Sequence, residues 1–133
     1  MKVLLLGGTS DIGEQLIKSF LSKNYEVFAT YRTKKNNGNL LANVNWLEQD
    51  IISTDRSKYK NWLKNVQNWD IFISCIGSQE PIGLINNIDS LKWAEGINVN
   101  STFQMTALID ALPFRTKEKD CSVIFFAGGG TNS

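Results

Sequence analysis

The first thirteen residues constrain the fold of this chain more than any other segment. Lys2–Leu6 is a run of five residues with apolar side chains or an apolar stem, the pattern of a buried parallel strand. A turn with two glycines follows, and a helix pattern begins directly after it. A strand, a glycine turn and a helix in this order place backbone N–H groups and the positive end of the helix against a dinucleotide pyrophosphate.

The glycines of this turn have a physical reason. Gly7 permits the tight turn, and Gly13 has no side chain, so the helix can approach the strand and the phosphates closely. The alternative is an ordinary strand-to-helix turn in which Thr9, Ser10 or Asp11 caps the helix. The position of the turn between a strand pattern and a helix pattern favours nucleotide binding.

Composition restricts the class of protein. The chain has 133 residues, of which 42% are hydrophobic, and a formal charge of +1, as expected for one domain with its own core. No apolar run is long enough for a membrane span, and the near-neutral charge argues against nucleic acid as a partner. The absence of histidine excludes Ser-His-Asp catalysis and most zinc chemistry. Two cysteines without metal-ligand spacing suggest a reducing cytoplasm and no metal site.

Strand and helix patterns alternate along the chain. The predicted strands are 2–6, 26–31, 44–47, 71–76 and 123–126. A helix ending near Asn24, a helix capped by Ser53, Thr54 or Asp55, and a long helix over about 89–112 ended by Pro113 lie between them. Such alternation predicts an α/β fold with a parallel sheet and helices on both faces.

These motifs, in this order, resemble the short-chain dehydrogenase/reductase superfamily over nearly the whole chain. Residues 6–13 are similar to the family's Thr-Gly-x-x-x-Gly-Ile-Gly turn, with Leu6 for the threonine and Asp11 for the middle glycine. Residues 74–77 occupy the place of its Asn-Asn-Ala-Gly segment and retain only Gly77. The resemblance implies a Rossmann-type doubly wound sheet with strand order 3-2-1-4-5.

The resemblance also implies roles for two further positions. Asp50 and Ile51 look like the family's Asp-Val pair, whose aspartate holds the adenine amino group. Asn100 falls on the position of a catalytic asparagine whose backbone binds a water in a proton relay. On the residues alone, Asp50 could instead cap a turn. Gly96, Asn98 and Asn100 could mark no more than a break between two helices.

The end of the second predicted strand bears on the choice of cofactor. Enzymes that use NAD usually place Asp or Glu there for the ribose 2′-OH, whereas this chain has Tyr31 and Arg32, followed by Lys34 and Lys35. A guanidinium suits a 2′-phosphate because its planar fork grips phosphate, so NADP is expected rather than NAD. The alternative is a solvated basic loop. Tyr31 and Lys35 have Tyr-x-x-x-Lys spacing but lie at the adenosine end, where they cannot perform the hydride chemistry.

Together these observations give a set of candidate site residues. Asn100 is the predicted catalytic residue. Cys75 is interpreted as a packed residue rather than a nucleophile, and no disulfide with Cys121 is expected, because a parallel order places the two at opposite sheet edges. The predicted cofactor-binding residues are Gly7, Thr9, Ser10, Asp11, Ile12, Gly13, Tyr31, Arg32, Asp50, Ile51, Cys75, Ile76 and Gly77.

The chain departs from the family after the fifth strand. It has Gly128, Gly129 and Gly130 where the family has a catalytic serine, and no Tyr-x-x-x-Lys pair follows. We therefore expect one NAD(P)-binding domain over 1–133, truncated after strand five, inactive alone, and with apolar surface exposed around 105–112.

The expected parent protein is an NADP-dependent oxidoreductase that interconverts a carbonyl and an alcohol on a small molecule by hydride transfer, and it is expected to be a homo-oligomer in full-length form. The alternatives are a non-catalytic NAD(P)-binding sensor or regulatory module, and a nucleotide-sugar epimerase or dehydratase relative.

Overall fold

A computed structural model of the protein describes residues 1–32 and 39–126. The expected basic residues Lys34 and Lys35 and the glycines at 128–130 lie outside the described residues. The strands are β1 (Lys2–Leu6), β2 (Glu26–Tyr31), β3 (Val44–Glu48), β4 (Ile71–Ser74) and β5 (Ser122–Phe125). The α-helices are α1 (Asp11–Ser22), α2 (Ser57–Leu63), α3 (Ser90–Ile97) and α4 (Phe103–Ala111).

The five strands form one parallel sheet in the order β3-β2-β1-β4-β5, which confirms the expected strand order. β1 is central: Val3 pairs with Val27 of β2 on one side and with Ile71 of β4 on the other. The connections leave β1 and β4 toward opposite sides of the sheet, so a crevice opens between them at the carboxyl ends of the strands. Ligands of open α/β sheets bind at such a switch point.

The central strands β1, β2 and β4 are buried on both faces, which explains why they are almost entirely apolar. Alternate residues of β1 point to opposite faces. Leu4 and Leu6 belong to the cluster on the face covered by α2 and α4, and Val3 and Leu5 to the cluster on the α1 face. Ile17 of α1 is fully buried in this second cluster.

Two aromatic side chains fix α4 to the rest of the domain. The Tyr59 hydroxyl donates to the Ala107 carbonyl at 3.0 Å, and the Trp69 indole N–H donates to the Ala111 carbonyl at 2.9 Å. Both rings are fully buried, and burial raises the pKa of Tyr59. Because both bonds reach the α4 backbone, they determine where the segment preceding α4 enters the crevice.

The long helix expected over 89–112 is not uniform. α3 and α4 are joined by a π-helical segment, Asn98–Thr102, in which the Phe103 N–H donates to the Asn98 carbonyl. Pro113 lies within a following 3-10 turn, Leu112–Phe114. The helix is therefore not broken near Asn98 and Asn100 but widens there into a π-helical turn. Insertions of this kind are frequent at functional sites.

Other boundaries differ by a few residues from those expected. β3 extends to Glu48, β4 ends at Ser74, and β5 covers Ser122–Phe125. Of the three cap candidates for α2, Asp55 accepts from the Ser57 N–H at 3.0 Å, although the N-cap position is Arg56.

The register of β4 and β5 also shows how far apart Cys75 and Cys121 lie. Because Ser74 pairs with Phe125 and Ile71 with Ser122, Cys75 follows the carboxyl end of β4 and Cys121 precedes the amino end of β5. The two are separated by about 16 Å of strand rise, and both are free, as expected.

Apolar surface is exposed on α4, as expected. Met105 and Ile109 are 48% and 56% exposed. Val123 and Phe125 of β5, whose relative exposures are 40% and 38%, extend this surface on the sheet. Over the described ranges, no helix has the length and apolar character needed to cross a bilayer.

Asp70 stabilises the amino-terminal edge of the sheet in a pH-dependent way. It accepts from the Lys2 N–H at 2.7 Å and pairs with the Lys119 ammonium at 2.9 Å. Burial by itself would raise the pKa of Asp70. The hydrogen bonds from Lys119 and Lys2 and the charge of Lys119 together outweigh this effect and lower the pKa below its ordinary value of 3.8. A carboxyl with a lowered pKa in the folded state contributes stability above its unfolded pKa and loses it as pH falls through the folded pKa.

We therefore expect Asp70→Asn to lower the free energy of unfolding by about 1–2 kcal/mol at pH 7, since Lys119 is half exposed and its charge is screened. The difference from the wild type should shrink as the pH falls below the ordinary carboxyl pKa. Urea unfolding between pH 2.5 and 7, with Asp120→Asn as the exposed control, measures this. A difference that stays constant over the whole range would contradict the assignment.

Candidate functional site

A cleft of about 440 Å³ opens at the carboxyl ends of β1, β2 and β4. It continues from the end of β2, past the glycine turn after β1, to the loop after β4 and the start of the π-helical segment. Nine of the thirteen predicted cofactor-binding residues line it: Gly7, Thr9, Ser10, Arg32, Asp50, Ile51, Cys75, Ile76 and Gly77. The other lining residues, which the sequence did not single out, are Thr30, Gln49, Ile52, Ser78 and Val99.

The glycine turn is held by a small set of hydrogen bonds. Gly7 has a φ of +77°, which favours glycine. Ser10 caps α1: its hydroxyl accepts from the Gly13 N–H at 3.0 Å and donates to the Gly7 carbonyl at 2.9 Å. Thr30 of β2 also holds the turn, because its hydroxyl accepts from the Gly7 N–H at 3.2 Å. The turn is therefore rigid before any ligand binds.

Gly13 makes the closest approach in the site. A Cβ placed on it would lie 2.5 Å from the Gly7 carbonyl oxygen and 2.9 Å from the Ser10 hydroxyl. No side chain fits there without moving backbone, as the sequence interpretation of Gly13 required. Capping by Ser10 and close approach at Gly13 coexist, so the two interpretations of the turn do not exclude each other.

The turn leaves backbone donors for an anion. Within the described ranges, the N–H groups of Thr9 and Ile12 donate to no protein acceptor. Ile12 lies in the first turn of α1, where the helix dipole is positive. These donors, together with the absence of a side chain at Gly13, fit a pyrophosphate. Asp11, Ile12 and Gly13 do not line the cleft itself; they directly follow the lining residues Thr9 and Ser10.

The side chains of Tyr31 and Arg32, at the end of β2, lie in different surroundings. Arg32 is exposed and lines the cleft, and no described carboxylate pairs with it. Tyr31 is buried outside the cleft lining, edge-on to Trp46 at 5.9 Å between ring centroids, and its hydroxyl donates to Glu48 at 3.3 Å. Burial and the Glu48 charge raise the pKa of Tyr31. A cofactor-binding role for Tyr31 stays a prediction.

Asp50 performs the turn-capping role considered for it and still faces the cleft. Its carboxylate accepts from the Ile52 N–H at 3.2 Å. The preceding residue, Gln49, is buried and donates to the backbone carbonyls of Asp50 at 2.9 Å and Asp55 at 3.2 Å. Gln49 therefore orders the loop that carries Asp50 and Ile51.

Two amides from the helix hold the loop after β4. Asn100 accepts from the Ser78 N–H at 2.8 Å and donates to the Ser78 carbonyl at 2.9 Å. Gln104, only 4% exposed, donates to the carbonyls of Ile76 at 2.8 Å and Val99 at 3.1 Å. Asn100 therefore contacts the cleft wall rather than lining the cleft, and its predicted catalytic role stays a prediction. A polar Gln104 on the buried face of an apolar helix was the available sequence signal for this clamp.

Cys75 lies in the cleft wall as a neutral thiol. Burial raises its pKa to about 11, so the nucleophilic thiolate is scarce at neutral pH. This agrees with the interpretation of Cys75 as a packed residue at the end of β4.

Comparison with known proteins relates this fold to dehydrogenases. No family model matches the chain. A curated relative, the isoflavone reductase homologue A622 of Nicotiana tabacum, is 29% identical over 100 residues, which are 72% of this chain and 32% of the relative. The chain thus spans about a third of the length of the curated relatives it matches.

Solved structures match nearly all of the chain. Serine dehydrogenase from Escherichia coli superimposes with a TM-score of 0.76 at 20% identity, over 94% of this chain and 61% of that one. A short-chain type dehydrogenase/reductase from Mycobacterium ulcerans gives a TM-score of 0.77 at 19% identity, over 93% and 50%. An ElxO variant with NADPH bound gives 0.76 at 20% identity, over 93% and 54%. The chain therefore has the Rossmann-type fold of the N-terminal part of short-chain dehydrogenase/reductases.

Proposed function

We propose that this chain is the NADP-binding part of an oxidoreductase of the short-chain dehydrogenase/reductase kind, which interconverts a carbonyl and an alcohol on a small molecule. The observation that carries the proposal is one continuous cleft that joins a cationic end at Arg32, the capped glycine turn, and the loop at Ile76–Ser78. We also propose that residues 1–133 form a single domain. We propose further that the full-length protein is a homo-oligomer and acts in the cytoplasm.

Each part of a dinucleotide has residues of matching chemistry in the cleft or, for Ile12, directly beside it. The free N–H groups of Thr9 and Ile12 would hold the pyrophosphate. Asp50 and Ile51 would hold the adenine, with Arg32 on the 2′-phosphate. Ile76 and Gly77 would border the nicotinamide end, opposite Arg32.

A bound nicotinamide supplies or accepts the hydride. The chain's own residues position the loop at Ile76–Ser78, which borders the nicotinamide end of the cleft. Asn100 and Gln104 bind the backbone on both sides of Gly77, so this loop is positioned from the helix rather than by its own short sequence. The predicted role of Asn100 in a proton relay uses its backbone, so it is compatible with the two hydrogen bonds between the Asn100 side chain and Ser78.

The comparisons with known proteins support this proposal. A related structure binds NADPH, and other neighbours are named dehydrogenases. The curated relative in Nicotiana is named as a reductase homologue.

Arg32 tests the cofactor assignment. We expect the wild-type chain to bind NADPH about tenfold or more tightly than NADH, because a charge-assisted contact to phosphate contributes about 1–3 kcal/mol. Arg32→Ala should lose that preference, while Arg115→Ala, an exposed arginine at the opposite edge of the sheet, should retain it. Calorimetric titration of both cofactors against the three proteins measures the effect. Equal affinities in the wild type, or an undiminished preference in Arg32→Ala, would refute the NADP assignment.

A further inference from the structure

A second cavity, of about 450 Å³, adjoins the cofactor cleft. Ser78 and Val99 line both spaces, so the second cavity begins where the cleft ends, at the end opposite Arg32. Its other lining residues are Glu80, Lys92, Glu95 and Gly96. If the cleft holds a dinucleotide as proposed, this cavity lies beside the nicotinamide end.

One helix face and one loop build the cavity. Lys92, Glu95 and Gly96 of α3 follow the i, i+3, i+4 spacing of one helix face, and Val99 lies just beyond them in the π-helical segment. Asp89 caps α3 by accepting from the N–H groups of Leu91 and Lys92 at 2.9 and 3.0 Å. A Cβ on Gly96 would lie 2.5 Å from the Glu80 carbonyl oxygen, so only glycine allows the loop to pack this closely on the helix.

The three charged groups at the cavity are available to a ligand. Glu80, Lys92 and Glu95 are exposed, and over residues 1–32 and 39–126 none of their side chains forms an ion pair or a hydrogen bond. Lys92 and Glu95 share the helix face, and Glu80 lies on the loop beside it. A purely anionic ligand would meet two carboxylates there, and a purely cationic ligand would meet the Lys92 ammonium.

We propose that this second cavity is the substrate subsite of the oxidoreductase and that it takes a small hydroxy or oxo acid that also carries an ammonium group. Lys92 binds the carboxylate of such a molecule, and Glu95 with Glu80 binds its ammonium group. The proposal rests on the proposed function, because the subsite is useful only if the adjoining cleft holds the cofactor.

L-Threonine is a suitable probe because two analogues each lack one of its charges. 3-Hydroxybutyrate has no ammonium group, and 1-amino-2-propanol has no carboxylate. Each is titrated into the 133-residue chain saturated with NADPH, a reduced cofactor that cannot oxidise an alcohol. The ¹⁵N amide resonances of Gly96 and Val99 report binding. We expect threonine to bind about tenfold or more tightly than either analogue.

Variants assign each charge. Lys92→Gln should abolish the preference for threonine over 1-amino-2-propanol, and Glu95→Gln should abolish the preference over 3-hydroxybutyrate. Lys117→Gln, an exposed lysine remote from both cavities, should behave as the wild type. NADPH affinity measured for each variant confirms that it is folded.

Two results overturn the subsite: equal affinities for all three probes, or no response to threonine in a chain that binds NADPH. Threonine binding unaffected by Lys92→Gln would also overturn it. Failure to bind NADPH in the absence of any probe would instead refute the proposed function, so the two proposals fail separately.

Discussion

Gly13→Ala is expected to lower the free energy of unfolding by about 1–3 kcal/mol and to weaken NADPH binding by about tenfold to a hundredfold. The added methyl group would lie 2.5 Å from the Gly7 carbonyl oxygen, which is rigid backbone, so α1 must move away from the glycine turn. That movement also disturbs the Ser10 cap and the N–H donors of Thr9 and Ile12, on which the proposed pyrophosphate site depends.

Gly77→Ala is the matched control for the stability measurement alone, because Gly77 itself lines the cleft. A Cβ there would meet only the Asn100 amide oxygen, at 3.5 Å, an ordinary contact distance. We therefore expect its unfolding free energy to stay within about 0.5 kcal/mol of the wild type. Chemical denaturation and NADPH fluorescence titration measure the two effects. A stable Gly13→Ala with undiminished NADPH affinity would show that the close approach of α1 to β1 is not required.

Gln104→Met is expected to cost about 1–3 kcal/mol of stability, because it removes the side-chain donor from the part-buried carbonyls of Ile76 and Val99. Methionine has a similar length and is a good helix former, so packing and propensity change little. The loop after β4 should lose its fixed position, and NADPH binding should weaken with it.

The control for this change is Gln67→Met, because Gln67 makes one exposed bond, to the Lys64 carbonyl at 3.0 Å. Denaturant unfolding compares the stabilities, and amide hydrogen exchange at Gly77 and Ser78 reports the loop directly. If exchange at these residues were unchanged in Gln104→Met, the clamp would not position the loop, whatever happened to global stability.

The sheet could be predicted from the sequence because its signals are local. β1 is apolar after Lys2, β2 is apolar after Glu26 except for Thr30, and the regular alternation with helix patterns implies parallel pairing. The glycine turn was equally accessible, since Gly7, Ser10 and Gly13 act on one another within seven residues. The predicted ends of the strands and helices were less accurate. β4 stops at Ser74 although Cys75 and Ile76 continue the apolar run.

The rest of the site depends on contacts between distant residues. Gln104 and Ile76 are 28 positions apart, and Asn100 and Ser78 are 22 apart, so no local pattern identifies the partners of these amides, although Gln104 is conspicuous on an apolar helix face. Gln49 was missed for the same reason, because a glutamine at the end of a strand shows nothing of the two carbonyls that it binds. The cofactor-binding role predicted for Tyr31 stays a prediction. Its neighbour Arg32 faces the cleft, and alternation along β2 turns the Tyr31 ring toward Trp46.

The π-helical segment Asn98–Thr102 has a consequence for how this protein could change its ligand. One extra residue in a helix rotates everything before it by about 100° relative to everything after it. The face of α3 toward the second cavity is therefore set by a different residue phase from the face of α4 that packs on the sheet. Substitutions at 92 and 95 can remodel the cavity while Ala107, Leu108 and Ala111 keep the core unchanged. Because of the widened turn, residues of α3 at the proposed subsite can change without changing the residues of α4 that stabilise the core.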